Sequence, residues 1–390
     1  MTLRNIQDLE LKGRKVFVRV DFNVPLKGSQ VADTFRLETA LPTLGRCLES
    51  GAALVLASHL GRPKGGPDPA FSMKPVAERL QTLLGLPVAF VEDCIGPKAE
   101  AAKADLSPGE VLLLENLRFH DGEKKNHDDF ARELAKGCDL YLTEAFAAMH
   151  RAHASVVGVP KVLGNGAVGL LVEKEVRELG ALLGQPERPF FLVLGGAKVE
   201  DKVPVIQNLL PRVDKVLLGG ALAYAFLKAR GQSLGATSVE EGDVEAARRV
   251  EKVAAERKVE ILLPSDHLVE GSAGQIRVAH NRALGPEDVP QDIGPETRQR
   301  YAAALRDAQT ILWNGPLGVF EDERFAQGTQ AVGRAIAECK GKTVAGGGDS
   351  VAALRQLGLL GRIGHVSTGG GAMLEFLSGV KLPGLTALGA

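Results

Sequence analysis

Short, almost continuously apolar segments alternate with amphipathic segments along all 390 residues of the chain. A strand that is apolar on both faces indicates a parallel sheet covered by helices on both sides. Strand–helix units repeated at this spacing predict right-handed crossovers and doubly wound, Rossmann-like sheets of the α/β class. The predicted strands are 15–21, 53–59, 87–93, 111–116 and 140–146 in the first half, and 190–196, 215–220, 260–266, 310–314, 342–346 and 362–368 in the second.

A single helical stretch near the middle of the chain predicts a division into two domains. Residues 170–183 carry apolar side chains at helical spacing, and Gly184-Gln185-Pro186 follows as a helix-stop signal. We therefore expect two doubly wound parallel-sheet domains, at 1–169 and 186–378, joined by a central helix within 170–185.

The charge balance and the cysteines argue against several classes of protein. The 47 Lys and Arg residues nearly cancel the 48 Asp and Glu residues, which gives no support to nucleic-acid or membrane-surface binding. The 4 cysteines form no C-x-x-C pair, so zinc-ribbon and thioredoxin-like sites are not indicated. Scattered cysteines, no signal-peptide pattern and no apolar run of about 20 residues favour a cytoplasmic protein.

The two halves place different chemistry at the ends of their predicted strands. Functional groups in such folds lie at the carboxyl ends of parallel strands. The first half supplies arginine and histidine there, whereas the second supplies glycine, lysine and aspartate. The segments concerned are 21–23, 58–62, 115–118, 195–198, 313–316 and 346–349.

Glycine turns in the second half predict a phosphate site. Gly346-Gly347-Gly348-Asp349-Ser350 precedes a predicted helix at 351–357, and 367–371 opens another at 372–377. Backbone N–H groups at such helix starts bind anions, and two of them in one domain suggest a polyphosphate. Asp349 fits two roles, a ligand of Mg²⁺ or a plain helix cap.

Two lysines follow another glycine turn, Gly195-Gly196. Lys198 and Lys202 are four residues apart, so they share a face if the turn is helical. Such stacked cations repel unless an anion lies between them. A pair of solvated surface lysines is the alternative.

Common nucleotide-binding motifs fail in this sequence. Gly341-Lys342-Thr343 resembles the end of a P-loop, but the first glycine of that motif falls on Ile336. Residues 164–169 match the dinucleotide pattern G-x-G-x-x-G, but Gly158 and Pro160 make the preceding segment a poor strand. This weighs against one alternative, a dehydrogenase. The other alternative is a two-lobed protein that binds an anion or nucleotide without catalysis.

Cations cluster at the predicted strand ends of the first half. Guanidinium groups bind phosphate and carboxylate bidentately, so such a pocket suits a small substrate that carries both groups. The candidates are Arg19, Arg36, His59, Arg62, Arg118, His150, Arg151 and His153.

Long motifs in both halves resemble those of the phosphoglycerate kinases. They follow the family's order, and the resemblance covers essentially the whole chain. The motifs are Arg19-Val20-Asp21-Phe22-Asn23-Val24-Pro25, Ser58-His59-Leu60-Gly61-Arg62-Pro63, Leu114-Glu115-Asn116-Leu117-Arg118-Phe119, 195–198, 313–321, 346–350 and 367–371.

The resemblance implies a monomeric enzyme that uses Mg²⁺ and transfers a phosphoryl group between 1,3-bisphosphoglycerate and ADP, giving 3-phosphoglycerate and ATP. It also implies an active-site cleft between the domains, and a tail at 379–390 that packs back on the N-terminal domain. The implied 3-phosphoglycerate residues are Asp21, Asn23, Arg36, His59, Arg62, Arg118 and Arg151. The implied nucleotide residues are Gly196, Lys198, Lys202, Gly219, Asn314, Pro316, Val319, Glu321, Gly346, Gly347, Gly348, Asp349 and Ser350. The implied catalytic residues are Arg36, Lys198, Gly370 and Gly371, with Asp349 as the metal ligand and Glu321 as the ribose partner.

One motif departs from the family pattern Asp-Ala-Phe-Gly-Thr/Ser-Ala-His-Arg. Here it is Glu144-Ala145-Phe146-Ala147-Ala148-Met149-His150-Arg151. Alanine at 147 loses the easy access of glycine to positive φ, Ala148 lacks the hydroxyl, and Met149 adds bulk. We therefore expect the departure to act on the position of Arg151 and on substrate affinity.

The chemistry agrees with the resemblance. A carboxylate nucleophile has a pKa near 4 and is ionised at neutral pH, so it needs no general base. The reaction instead needs charge stabilisation and in-line positioning of the phosphoryl group. With the two substrates on different domains, we expect domain closure to bring them together and exclude water.

Overall fold

Two compact units make up the chain in the computed structural model, which describes residues 3–164, 166–197 and 199–389. One unit is Met1–Arg177 together with Lys381–Ala390, and the other is Glu178–Val380. Helix α7 (Leu170–Leu183) contains the division between them. No helix among the described residues is both long and apolar enough to cross a membrane.

A six-stranded parallel sheet forms the first unit. Its strands are β1 (Lys15–Arg19), β4 (Ala53–Ala57), β5 (Val88–Val91), β6 (Val111–Leu114), β7 (Leu140–Thr143) and β8 (Gly166–Val168), and a separate pair is β2 (Leu26–Lys27) with β3 (Gln30–Val31). The helices are α1 (Phe35–Glu49), α2 (Lys74–Leu84), α3 (Gly96–Asp105), α4 (Asp121–Lys125), α5 (Asp128–Ala135), α6 (Val159–Leu163) and α15 (Pro383–Thr386). The strand order β5-β6-β4-β1-β7-β8 is that of a doubly wound sheet.

Both faces of this sheet are buried, which explains the continuous apolar runs in the sequence. In β1, Val16 belongs to one core cluster and Phe17 to a second. Strand β4 repeats the pattern with Leu54 and Val55. Successive side chains of a strand point to opposite faces, so each face has its own cover of helices.

A second six-stranded parallel sheet forms the other unit, and the predicted α/β class is confirmed. Its strands are β9 (Phe190–Leu194), β10 (Lys215–Leu218), β11 (Glu260–Leu262), β15 (Thr310–Asn314), β16 (Lys342–Gly346) and β17 (His365–Ser367), in the order β11-β10-β9-β15-β16-β17. The helices are α8 (Val203–Leu209), α9 (Gly220–Ala229), α10 (Glu241–Glu256), α11 (Pro295–Leu305), α12 (Gln327–Glu338), α13 (Gly348–Gln356) and α14 (Gly371–Leu377).

The second unit also holds a three-stranded antiparallel sheet that the sequence analysis did not predict. It consists of β12 (Asp266–Glu270), β13 (Ile276–His280) and β14 (Val289–Ile293), with β12 in the middle. The predicted strand 260–266 is split between β11 and β12. Strand β13 is largely exposed, with Val278 at 49%, so it lacks the apolar run by which the other strands were predicted.

The carboxyl ends of central strands lie level in each unit. Arg19 at the end of β1 is in register with Ala57 of β4 and with Thr143 of β7. In the second unit, Asn314 is in register with Gly346. The loops that follow these strands therefore start at one edge of each sheet, where α/β folds bind ligands.

Two side chains of the first unit hold the start of α7. Thr43 Oγ1 accepts a hydrogen bond from the backbone N–H of Leu170 at 3.0 Å, and Glu144 Oε1 accepts one from Leu171 at 2.9 Å. Thr43 also donates to Glu144. Burial raises the pKa of Glu144 to about 7, although these hydrogen bonds oppose the rise. The first residue of the departing motif thus caps α7.

The last helix of the chain packs on the same motif. The N–H of Gly384 in α15 donates to the carbonyl of Met149 at 2.9 Å. A Cβ atom at position 384 would lie 3.0 Å from Met149 Cγ and 2.9 Å from Val156 Cγ1. The extra bulk of Met149 is therefore accommodated against a residue that has no side chain.

The backbone of the departing motif has no need of glycine. Phe146–Ala148 forms a turn of 3₁₀ helix. Among the described residues other than glycine, only Asn126 and Lys258 have positive φ. Ala147 consequently lies in a region that any residue adopts, and the expected loss of conformational freedom has no effect here.

Candidate active site

A buried arginine organises the strand ends of the first unit. Arg19 is 1% exposed at the end of β1. It donates through Nε to Ser155 Oγ at 2.8 Å, donates to the Val20 carbonyl, and lies 3.1 Å from Nδ1 of His59. Because arginine has donors only, Nδ1 of His59 accepts this bond, and a neutral His59 carries its proton on Nε2.

Arg118 contributes a second buried cation. Its guanidinium donates to the carbonyl of Gly61 at 2.7 Å. The Nε group is buried and has no hydrogen-bond partner among the described residues. Burial, followed by the charges of Arg151 and Arg19, lowers the pKa of Arg118 to about 10, which leaves it charged at neutral pH. A buried charged donor without a partner suits an anionic ligand.

Asp21 and Asn23, on the loop after β1, hold two neighbouring segments. Asp21 forms a close ion pair with Arg36 near the start of α1. Asn23 accepts a hydrogen bond from the N–H of Gly61 at 2.8 Å. About a third of the Arg36 side chain, 32%, is exposed, so this guanidinium is held in place but remains accessible.

The remaining predicted substrate residues are exposed. Arg62 and Arg151 lie at the surface, and Arg151 Nε donates to His150 Nε2 at 3.1 Å. The charges of both arginines lower the pKa of Arg118. The charge of Arg36 likewise lowers the pKa of His59. The predicted cations are therefore close enough to act on one another electrostatically.

Two residues of this cluster, Glu123 and Ser155, were not predicted from the sequence. Glu123 is fully buried and accepts bonds from the N–H of Ser155 at 2.9 Å and from its hydroxyl at 2.6 Å. Its charge raises the pKa of Arg19, against the effect of burial. Glu123 lies in a charged run, Asp121-Gly122-Glu123-Lys124-Lys125, and nothing in that run marks it as buried.

Two histidines of the cluster are neutral at physiological pH. Burial, with the charges of Arg19 and Arg118, holds the pKa of His59 well below its ordinary value of 6.5. The same three causes lower the pKa of His153 to about 4. Glu123 lies 3.7 Å from His153, yet it does not offset the surrounding arginines.

In the second unit, hydrogen bonds join the loop after β15 to the start of α13. Asn314 Nδ2 donates to the carbonyl of Gly346 at 2.7 Å, and the N–H of Gly315 donates to Ser350 Oγ at 2.7 Å. Gly347 has φ 97°, a conformation that favours glycine, and a Cβ there would lie 2.7 Å from Asn314 Nδ2. The glycine turn and the β15 loop thus fix one another.

Asp349 is not the cap of its helix. Helix α13 begins at Gly348, and its N-cap residue is Gly347, with no side-chain cap hydrogen bond. The exposed Asp349 carboxylate has no hydrogen bond or ion pair with another described residue. An available carboxylate beside a glycine turn has the donor chemistry that Mg²⁺ accepts together with phosphate oxygens, so the residues present fit this ion.

Of the two predicted lysines, one can be placed. Lys198 lies outside the described residues, so the stacking of the pair stays a prediction. Lys202 is 8% exposed and precedes α8. A Cβ at Gly196 would lie 3.9 Å from its Nζ, which places this ammonium beside the Gly195-Gly196 turn.

The remaining predicted nucleotide residues lie around β10 and β15, and the predicted catalytic glycines follow β17. Gly219 precedes α9, where a Cβ would lie 2.9 Å from Cβ of Leu317. Pro316 is buried, whereas Val319 is 43% exposed and Glu321 is also exposed. Gly371 is the first residue of α14 and Gly370 precedes it.

One other group of possible metal ligands occurs in the described ranges, formed by Asp93, Cys94 and His120. Asp93 Oδ1 accepts a hydrogen bond from the N–H of Cys94 at 2.7 Å and lies 2.7 Å from His120 Nε2. These hydrogen bonds account for the closeness of the three residues, and we assign no ion to them.

Comparisons with known proteins agree along the whole chain. The model of the phosphoglycerate kinase family matches residues 6–380. Phosphoglycerate kinase of Moorella thermoacetica is 51% identical over 394 residues, with 100% of this chain and 99% of that protein covered. That of Thermomicrobium roseum is 49% identical over 389 residues, with 99% of each covered.

Solved structures agree as well. The structure of phosphoglycerate kinase from Coxiella burnetii matches with a TM-score of 0.88 at 37% identity, covering 99% of both chains. That of phosphoglycerate kinase from Pyrococcus horikoshii OT3 has a TM-score of 0.87 at 36% identity, covering 99% of this chain and 98% of the other.

The neutral histidines predict a pH response. We expect the ring resonances of His59 and His153 not to titrate between about pH 8 and about pH 5, because their pKa values are depressed. Below about pH 6.5 the two histidines take up protons in the unfolded chain but not in the folded one. They therefore lower the free energy of unfolding as pH falls. Nuclear magnetic resonance, with His59→Gln and His153→Gln to assign the signals, measures this.

Inorganic phosphate provides the control. An anion beside the cluster favours the charged imidazolium, so phosphate should raise both pKa values. Titration of either ring near 6.5 without any anion present would contradict the buried, neutral assignment.

Proposed function

The chain belongs to the phosphoglycerate kinase family, and we propose that it carries out that family's reaction with one substrate on each of its two units. The reaction is the reversible transfer of a phosphoryl group between 1,3-bisphosphoglycerate and ADP to give 3-phosphoglycerate and ATP. It makes the chain a phosphotransferase with a carboxyl group as acceptor.

The cation cluster of the first unit is the observation that carries this proposal. Arg118 Nε, buried and without a partner in the described part of the chain, and the accessible Arg36 leave charged donors for a ligand with a phosphate at one end and a carboxylate at the other. The neutral His59 adds an Nε2 donor without adding charge. We assign 3-phosphoglycerate to Asp21, Asn23, Arg36, His59, Arg62, Arg118 and Arg151.

The glycine turns of the second unit support the nucleotide assignment. Among the described residues, the N-cap position of α13 provides no side-chain acceptor for the first backbone N–H groups of the helix, so these groups can bind phosphate oxygens. The assigned residues are Gly196, Lys198, Lys202, Gly219, Asn314, Pro316, Val319, Glu321, Gly346, Gly347, Gly348, Asp349 and Ser350. Asp349 would hold Mg²⁺, which neutralises phosphate charge when bound with the nucleotide.

Catalysis then consists of positioning and charge stabilisation. The attacking carboxylate is already ionised, so no residue has to remove a proton. Arg36, anchored by Asp21, would stabilise the negative charge on the moving phosphoryl group. Lys198 and the helix start at Gly370 and Gly371 would share this role. We also propose that the enzyme acts as a monomer in the cytoplasm.

A coupled turnover assay with 3-phosphoglycerate and MgATP tests the reaction directly. Turnover that requires both substrates supports the proposal. Binding of both without turnover would favour the alternative of a non-catalytic binding protein, and a requirement for a nicotinamide cofactor would favour a dehydrogenase.

Replacing Arg36 should impair the chemical step. We expect Arg36→Ala to lower kcat by roughly 10²-fold or more, as loss of one oxyanion-stabilising donor does. Arg46→Ala, an exposed arginine at the other end of α1, is the matched control and should leave kcat unchanged. A rise in KM with an unchanged kcat would instead make Arg36 a residue that binds ground state and transition state equally.

Replacing Asp349 should affect the nucleotide alone. We expect Asp349→Ala to weaken MgADP binding by roughly tenfold to a hundredfold, the loss typical of a charged partner. Affinity for 3-phosphoglycerate should stay the same, and Asp307→Ala, also exposed in this unit, should change neither. Calorimetric titration of both ligands measures this. Unchanged MgADP affinity would remove Asp349 from the metal site.

Substrates on separate units must meet for reaction. The carboxylate has to come within about 3–3.5 Å of the γ-phosphorus, so we expect the molecule to compact most when both substrates are bound. One ligand alone should close it only partly, because it contacts mainly its own unit. Small-angle X-ray scattering on free, singly liganded and doubly liganded enzyme tests this. An identical radius of gyration in every state would rule out closure.

A further inference from the structure

A buried carboxylate of the small antiparallel sheet reaches the start of α12. The side chain of Asp292, in β14, is fully buried. Its Oδ2 accepts a hydrogen bond from the N–H of Gly328 at 2.7 Å and lies 3.3 Å from Nη2 of Arg298. Ala326, the N-cap residue of α12, has no side-chain acceptor. Asp292, which lies in β14, caps the helix instead.

The same carboxylate touches the segment after β15. We call residues 315–321, which include Pro316, Val319 and Glu321, the nucleotide loop. A Cβ at Gly318 in this loop would lie 2.2 Å from Oδ1 of Asp292, so the backbone of the loop rests directly on the carboxylate. Replacing that glycine would displace the loop or the carboxylate.

Two further hydrogen bonds fasten the nucleotide loop at this place. The N–H of Val319 donates to the carbonyl of Gln291 at 2.9 Å, one residue before Asp292. The N–H of Leu317 donates to Thr329 Oγ1 at 2.9 Å, one residue after Gly328. The loop is thus attached to the two segments that the carboxylate joins.

We propose that Asp292 is a positioning residue for nucleotide binding, which sets the exposed Val319 and Glu321 by locking the nucleotide loop to β14 and α12. This inference rests on the proposed function, because that function assigns both residues to the nucleotide. The side chain of Asp292 is fully buried, so we expect it to make no contact with the nucleotide. Its effect passes through the backbone at Gly318.

The chain contains a matched control in Asp266. This residue of β12 is also buried, and it caps α11 by accepting hydrogen bonds from the N–H groups of Glu296 at 3.0 Å and Thr297 at 2.9 Å. A Cβ at Gly294 would lie 2.2 Å from its carboxylate, as at Gly318 and Asp292. None of its hydrogen bonds within the described part of the chain involves the nucleotide loop. The two aspartates therefore share the capping role and differ in what else they touch. They also differ in charge, because burial raises the pKa of Asp292 to about 7, whereas at Asp266 burial is outweighed by hydrogen bonds from Thr297 and Glu296, which lower its pKa.

The test compares Asp292→Asn with Asp266→Asn in the full-length enzyme. The amide keeps the size of the side chain but cannot carry a negative charge toward Gly328 and Arg298. Burial raises the pKa of Asp292 to about 7, so the variants are compared at about pH 8, where the carboxylate of the unmodified enzyme is ionised. Calorimetric titration gives the Kd of MgADP and of 3-phosphoglycerate, steady-state kinetics gives KM and kcat, and thermal unfolding gives Tm.

We expect Asp292→Asn to raise the Kd and the KM of the nucleotide about tenfold, as loss of a charged hydrogen bond would, with the Kd of 3-phosphoglycerate unchanged. Asp266→Asn should lower Tm comparably while leaving both dissociation constants unchanged. If Asp292→Asn lowers Tm but leaves the nucleotide Kd at its original value, Asp292 is only a helix cap and the proposal is wrong.

A second variant keeps the proposal testable if Asp292→Asn does not fold. The methyl group of Gly318→Ala would displace the Asp292 carboxylate or the nucleotide loop. This variant should therefore raise the nucleotide Kd in the same way. An unchanged nucleotide Kd in Gly318→Ala would also overturn the proposal. Failure of the proposed function is distinguishable, since the unmodified enzyme itself would then bind no MgADP or would bind both substrates without turnover.

Discussion

The charge buried at the end of β1 is the interaction on which the substrate edge of the first unit depends. An ion taken out of water costs several kcal/mol, roughly, unless it is paired and fully hydrogen-bonded. Arg19 meets that demand through Ser155, whose hydroxyl accepts from Arg19 and donates to the buried Glu123. The same guanidinium fixes the tautomer of His59. Because Arg19 and Glu123 are linked by hydrogen bonds through Ser155 inside the protein, the surrounding cations remain available for an anion.

Buried carboxylates also hold the starts of three helices. Glu144 for α7, Asp266 for α11 and Asp292 for α12 are all buried carboxylates that come from another part of the chain. The residues at the N-cap positions of α11 and α12 make no side-chain cap bond. Carboxylates favour the positive end of a helix, and burial makes each pairing specific. Each carboxylate links the start of a helix to a strand or to the loop that follows a strand.

Burial and long-range contacts determine which parts of the structure could be predicted from the sequence. The continuous apolar runs of most parallel strands follow from burial on both faces, so those strands and the α/β class could be inferred. The short edge strand β8 carries no such run and was not predicted. Strand β13 is exposed and carries no such run. Glu123 and Ser155 become partners only through three-dimensional packing. The sequence around Glu123 resembles a charged surface turn, and Ser155 lies in an apolar segment, so neither position is marked by its neighbours. The fit of Met149 against Gly384 joins positions more than two hundred residues apart, about the length of a whole domain, which no local pattern could reveal.

The division of the chain has a consequence for its synthesis. The first unit includes Lys381–Ala390, and the second unit occupies everything between residues 178 and 380. A ribosome adding about 5–20 residues per second needs roughly 10 to 40 s to translate the intervening segment. During that time the surface around Met149 and Val156 stays exposed, because α15 has not yet been synthesised. The second unit can therefore be complete before the first, although synthesis of the first begins earlier. Until translation has passed Gly384, the nascent first unit depends on its own remaining contacts or on chaperones.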